Sequence, residues 1–367
     1  MTYPFEIPNP FRAGNLPAKD LWEMLADTKK PIVMYGMGNG ADKILRVCEE
    51  RGIVVQDFFA SDGFVRGHSF HGKTVLSYSD TCRKYGMGNF IILLSFASSL
   101  PDVLANISRI AEENELYAPD VPVCGDALFD MNFFTAHKEE LLAARALLAD
   151  DLSRKTFDSV ILYKLTGDIR ILRAAESTPE SVMRDILTPE RWQVYADLGA
   201  YTGDTVRALL PYAENLRKVY AMEPDPRTFR KLEAYTKEEA RAEVHALHMG
   251  AWSHADILPF DASGNRNAGL HAAKKAVDVR VEAPDNVVGT DLPDFIKYDV
   301  EGAEAEALRG SAGIIRAHKP QILLSVYHRS EDLYSLPLQL HELMPDYRFY
   351  MRRFPYIPAW DLNLYAV

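Results

Sequence analysis

The residues best suited to chemistry lie in the turn Asp197-Leu198-Gly199-Ala200-Tyr201-Thr202-Gly203-Asp204-Thr205, which has the form DxGxxxG. A diphosphate needs bare backbone N–H groups at a positive helix end. Asp197 at the mouth of the strand and Asp204 just inside the helix would both repel one. They would instead receive the cation of a sulfonium cofactor with a free amino group, and Gly199 and Gly203 would let the backbone approach it. Glu223 ends the next strand, where an acidic side chain can accept both ribose hydroxyls, and Pro224 breaks that strand. Gly250, Ala251 and Trp252 end the third strand and are placed to border an adenine, with Trp252 offering an apolar face. Two plainer readings stand beside these. Asp197 caps the helix while the glycines serve packing, or Trp252 is an ordinary core residue.

The cofactor these features describe is S-adenosylmethionine. Methyl transfer from a sulfonium is an in-line displacement, so the acceptor must be aligned, and an alcohol acceptor gains from a base. Ligands in such sheets bind beyond the carboxyl ends of the strands. Asp299 and His328 end consecutive parallel strands and should be neighbours, which makes His328 the leading base and Asp299 a positioning or auxiliary group. His328 can also be read as a turn residue ahead of Ser330, a cap for the helix beginning Glu331-Asp332. Asp299, Glu301 and Glu304 invite a metal, and all-oxygen ligation suits Mg²⁺. Acidic residues in a helix's first turn are expected from the dipole alone, however, and that explanation is preferred.

The elements that must position these groups follow from the hydrophobic pattern. In the second half QVYADLG, KVYAMEP, VHALHMGAW, DFIKYDV and PQILLSVYH read as strands alternating with helices. YRFYMRRF and LNLYAV then follow with no room for a helix between them, which predicts a closing antiparallel hairpin on a parallel sheet. Residues 135–180 read as a helical connector too apolar to stay in water, with Gly167 placed to stop a helix. Residues 1–134 read as a second Rossmann-like α/β domain, with strands at Ile32–Tyr35 and NFIILLSFASS and a small strand plus cap in HGKTVLSYSD. The expected division is 1–134, 135–180 and 181–367.

In the first half Gly36-Met37-Gly38-Asn39-Gly40 joins a strand to a helix, so a nucleotide phosphate could sit there, with Asp62 on its ribose. The full dinucleotide fingerprint is missing. A domain that has kept the fold without the ligand, serving as acceptor platform or homodimer interface, explains the segment equally well.

Composition narrows the partners. The chain has 367 residues, 47% hydrophobic and 25% charged, and a net charge of −11 that opposes broad binding to a nucleic-acid backbone. No apolar run reaches the roughly 18 residues of a membrane span. The opening MTYPFEIPNPF lacks the pattern of a signal peptide, and three scattered cysteines build no disulfide framework or zinc knuckle. A cytoplasmic setting is the expectation.

Taken together, DLGAYTGDT, AMEPDP, GAWS, FIKYDVEGAEAEALRGS, KPQILLSVYHRSEDLYSLP and YRFYMRR…LNLYAV resemble the FkbM family of methyltransferases over residues 195 to 367. The resemblance implies a class I methyltransferase fold and O-methylation of a small-molecule or glycan acceptor. It also implies cofactor contacts from Asp197, Gly199, Gly203 and Glu223, with Asp299 beside the transferred methyl group. Two other functions stay open: a nicotinamide-dependent oxidoreductase built on the Gly36 turn, and a non-catalytic cofactor-binding protein.

Overall fold

Ile32–Tyr35 is apolar at every position and buried along its length, as a parallel strand covered on both faces must be. In the computed structural model it forms β1, which follows α1 (Leu21–Asp27). After it come α2 (Asn39–Glu50), β2 (Val55–Ala60), the short strands β3 (Ser69–Phe70), β4 (Lys73–Thr74) and β5 (Leu76–Ser77), and α3 (Tyr78–Tyr85). β6 (Ile91–Leu94), α4 (Pro101–Glu113) and β7 (Glu115–Tyr117) complete this half. The order β5-β2-β1-β6-β7 makes a five-stranded sheet with every pair parallel. HGKTVLSYSD supplies the expected cap: the Ser77 hydroxyl accepts from the Asp80 N–H at the start of α3. The structure describes residues 6–65, 67–239, 241–261 and 276–367, so the first five residues of the opening stretch lie outside them.

The expected connector is a set of helices: α5 (Met131–Ala136), α6 (Lys138–Ala146), α7 (Asp151–Thr166), α8 (Ile169–Arg173) and α9 (Pro179–Asp185). Asp150 caps α7 by accepting from the Ser153 N–H. Gly167 ends it in the left-handed region, where a side chain would be strained. Eleven of the sixteen residues of α7 are buried, so it is an interior helix rather than a surface strap. Its buried charges are paired, Asp158 with Arg145 at 2.7 Å and Lys164 with Asp120 at 2.6 Å. A single apolar core runs from Phe59 and Ile92 of the first sheet through Phe157 and Ile161 of α7 to Ile322 and Leu324 of the second sheet.

The second sheet grows from β8 (Val194–Leu198), α10 (Asp204–Leu209), β9 (Lys218–Met222), α11 (Pro226–Glu238) and β10 (Glu243–Leu247). β11 (Gly250–Ala251), β12 (Asp256–Asp261), β13 (Ala276–Glu282) and α12 (Pro284–Val288) follow. Then come β14 (Phe295–Tyr298), α13 (Glu304–Gly310), α14 (Ala312–His318), β15 (Gln321–Ser325), α15 (Asp332–Leu343), β16 (Phe349–Arg353) and β17 (Leu362–Ala366). The order is β10-β9-β8-β14-β15-β17-β16; β17 runs antiparallel to both of its neighbours and the other pairs are parallel. This is the class I methyltransferase arrangement expected from the closing hairpin.

Two features were not anticipated. β11, β13 and β12 form a small separate sheet. The tandem arginines of YRFYMRR lash β16 to the connector. Arg352 reaches Asp150 at 2.6 Å and Ser153 at 2.8 Å, while the fully buried Arg353 binds Glu176 and the Leu172 carbonyl, both at 2.8 Å.

Candidate active site

The carboxyl ends of β8, β14 and β15 meet in one place. Parallel register sets Asp197 of β8 opposite Lys297 of β14. The Lys297 ammonium lies 3.2 Å from Asp197 Oδ1, donates to the Gly199 carbonyl at 2.9 Å and sits 3.7 Å from Asp299 Oδ2. Burial pushes the Asp197 carboxyl up to about 6, against the opposing pull of Lys297. Burial also acts to neutralise Lys297, but Asp197 and Asp299 outweigh it and hold the ammonium above its ordinary range. Asp197 is wholly buried and does not line the cavity described below. Its Oδ1 faces the Lys297 ammonium, while Oδ2 is buried without a hydrogen-bond partner among the described residues, a placement that differs from the open carboxylate expected to meet a ligand's ammonium.

The glycines need a similar correction. Gly199 and Gly203 take φ of +84° and +77°, and a side chain on either would collide with protein, the Asp299 carbonyl in one case and the Tyr235 ring in the other. Packing is thus what requires glycine at both, although Gly199 also lines the cavity. Ala200 and Gly203 lie behind that wall, whereas Asp204, Thr205, Gly250 and Ala251 form part of it. Trp252 does not reach it and packs instead beside Phe260 and Val281; Phe260 is one of the aromatic residues that do line the cavity.

Glu223 ends β9 as expected and faces the cavity, 7% exposed. Its two oxygens accept from the backbone N–H groups of Tyr201 at 2.9 Å and Asp225 at 2.8 Å, so the carboxylate is aimed by the turn it follows. Burial raises it to about 7.

His328, one residue beyond Tyr327 and only 1% exposed, stands among three carboxylates. Nδ1 is 3.0 Å from Glu304 Oε1, and Nε2 is 3.5 Å from Asp299 Oδ1 and 3.6 Å from Glu301 Oε2. These are ion contacts rather than aligned hydrogen bonds: among the described residues both ring nitrogens, Glu301 Oε2 and Glu304 Oε2 are buried without a hydrogen-bond partner. Burial would lower the imidazole's pKa, but Glu304 and Glu301 dominate and carry it to about 10. Asp299 is lowered: burial opposes ionisation, and the charges of Lys297 and His328 overrule it. The Tyr327 hydroxyl donates to Asp299 Oδ1 at 3.2 Å. The alternative in which Ser330 caps the helix is not seen, since its hydroxyl donates to the Ala127 carbonyl.

All of this opens on one cavity of about 690 Å³, within the range of small-molecule sites. Glu223, Asp204 and Gly250 lie on its wall, as do Asp299, Glu301 and His328, and Trp360 and Asp361 from the β16–β17 loop. The first half supplies Val123, and Cys124 beside it donates from Sγ to the Glu301 carbonyl at 3.1 Å. A second cavity of about 170 Å³ lies at the Gly36–Gly40 turn and shares Val123 and Trp360 with the first. In that turn side chains on Gly36 and Gly40 would strike Phe96 and Ser95, and Asp62 is held by Ser79 through its N–H and hydroxyl. The turn is thus packed at Gly36 and Gly40, while Gly38 has nothing within 4 Å of an added side chain.

Residues 197–356 match the model of the methyltransferase FkbM domain. The C-terminal region thus resembles the FkbM methyltransferases. The crystal structure of the methyltransferase FkbM of Methylobacillus flagellatus superposes with a TM-score of 0.70 at 22% identity, covering 96% of this chain and 94% of that one. Its two-part fold is therefore shared across both halves. Lower similarity is found to precorrin-6y C5,15-methyltransferase of Geobacter metallireducens, at 15% identity over 52% of this chain and 89% of that one, with a TM-score of 0.33. No curated protein matches the chain. S-adenosylmethionine is the cofactor expected of a methyltransferase from the sequence. The residues present fit it: an acidic wall of Asp204, Glu223 and Asp299 suits a cation and opposes a diphosphate.

Sequence reasoning missed Lys297, Tyr327, Phe260 and Trp360. A signal existed for the first, because lysine inside a four-residue buried strand must be paired. The others are aromatic residues of ordinary kind in the sequence, and only the fold turns them toward the cavity.

Proposed function

We propose that the protein O-methylates a hydroxyl of a carbohydrate-like or secondary-metabolite acceptor. The observation that carries this reading is the joining, in one cavity, of a Glu223 end suited to an adenosine and a polar, aromatic end built by Asp299, Glu301, Tyr327 and Trp360. Aromatic faces beside hydrogen-bond acceptors suit a polyhydroxylated ring.

When bound, S-adenosylmethionine supplies an electrophilic methyl carbon on a positively charged sulfur. Glu223 would hold its ribose, and Gly250, Ala251 and Phe260 its base. The cavity wall aligns the acceptor so that its C–O bond forms as the C–S bond breaks. The hydroxyl proton would pass to the cluster of Asp299, Glu301 and His328 on the cavity wall, with His328 the base expected from the sequence and Asp299 beside it. Val123 of the first half and Trp360 of the second both line the cavity, which supports the reading of the first half as an acceptor platform.

Calorimetric titration with S-adenosylhomocysteine, run beside NAD, tests the cofactor half of the reading. Saturable binding of the former, weakened about 10- to 100-fold in Glu223→Gln through lost charge-assisted hydrogen bonds, is expected. A preference for NAD would overturn it. Methyl transfer to a panel of glycosides, compared with amines and carboxylates of similar size, tests the acceptor.

A further inference from the structure

The cluster behind the acceptor end of the cavity has the anatomy of a metal site. His328 is enclosed, yet neither of its ring nitrogens makes an aligned hydrogen bond with a described residue. Glu304, itself 1% exposed, stands 3.0 Å from Nδ1. Its Oε1 is fixed by the Val300 N–H at 2.8 Å. On the other side of the ring Nε2 faces Asp299 Oδ1 at 3.5 Å and Glu301 Oε2 at 3.6 Å. Donor atoms each about 2.1 Å from a shared ion stand roughly 3.0–3.5 Å apart, so these gaps are close to those of a coordination edge.

Two further observations agree. Glu301 Oε2 is buried without a partner among the described residues, although the rest of that side chain reaches the cavity. The Glu301 backbone is held at φ +53°, a strained conformation for a residue with a side chain, and this turn is what brings the carboxylate back over His328.

We propose that His328, Asp299 and Glu304, whose donor atoms all lie within 4.8 Å of one another, bind a divalent first-row cation of the Mn²⁺ type, with Glu301 beside the imidazole as an outer partner. The proposal rests on the methyltransferase reading for its purpose but not for its geometry. One imidazole with two carboxylates favours Mn²⁺ over Mg²⁺, which prefers oxygen alone. The open side of the site faces Tyr327 and the cavity, where the acceptor would lie. A cation there would favour the ionised form of a nearby hydroxyl. The sequence suggested only the oxygen ligands; the histidine changes the expected ion.

The test uses the full chain, stripped with a chelator and titrated with MnCl₂ and, separately, MgCl₂, by calorimetry and electron paramagnetic resonance. S-adenosylhomocysteine binding is measured on the same samples. One equivalent of Mn²⁺ is expected, bound more tightly than Mg²⁺, with a 10- to 100-fold loss of affinity in the less buried Glu301→Gln and at least as large a loss in Glu304→Gln. His328→Ala should abolish binding; because that residue is buried, the two glutamine variants keep the test valid if it fails to fold. A chain that binds S-adenosylhomocysteine but no Mn²⁺ overturns the metal site alone. Equal Mn²⁺ binding in all variants also overturns it, by placing the ion elsewhere. Mn²⁺ binding lost in the variants, in a chain that ignores S-adenosylhomocysteine, supports the metal site and overturns the methyltransferase reading.

Discussion

Glu223 illustrates how a binding residue shapes stability before any ligand arrives. Its carboxyl is raised by burial from an ordinary 4.5 to about 7. Between those values the native chain holds a proton that the unfolded chain has released. Stability of the cofactor-free protein should therefore fall as pH rises from about 4.5 to about 7, by up to roughly 3 kcal/mol from this group, and level off above. Asp197, raised to about 6, contributes in the same direction. Urea denaturation across that range checks the slope, and Glu223→Gln should flatten it; an unchanged slope in the variant would place the effect elsewhere. At this scale the sequence was informative about which residues reach the cavity, as for Glu223 and Asp299. It was misleading where a group's partner came from a distant strand. Asp197 meets Lys297 only because β8 and β14 lie in register, a relation that no local spacing records.

Elements were more legible than contacts. Buried parallel strands announce themselves as short apolar runs between turn residues, and the closing pair β16 and β17 was plain because too few residues separate them to form a helix. The β12–β13 pair was passed over although β13 alternates valine with charged residues from Val277 to Glu282, because β12 carries Pro259 in its middle and β11 is only two residues long. Nor could periodicity show that α7 is interior, because its polar residues, such as Asp158 and Lys164, find partners on other elements. The tie between that connector and the sheet is Arg353. Arg353→Met should cost about 3–5 kcal/mol, because it leaves Glu176 and the carbonyls of Leu172, Phe354 and Tyr356 without their donor. Arg353→Lys should recover only part of this, lacking the planar fork. Chemical denaturation measures both, and a loss below about 1 kcal/mol would show that the connector is held by apolar packing instead.

For the molecule as a whole, the division at 134 and 180 describes the rhythm of the sequence better than the distribution of its core. The apolar cluster that fills the first sheet continues through α7 into the second, and no helix among the described residues is long and apolar enough to cross a membrane. A shared core predicts one cooperative thermal transition with matching calorimetric and van't Hoff enthalpies. Two separated transitions would show that the halves fold independently. The position of β17 has a further consequence for biosynthesis. It is the last of the seven strands to leave the ribosome, yet its place is between β15 and β16. Until it emerges, the strand leading to His328 has one unpaired edge, a template for pairing with other nascent chains. The catalytic half is thus most vulnerable to aggregation late in translation, when nearly all of its sequence has already been made.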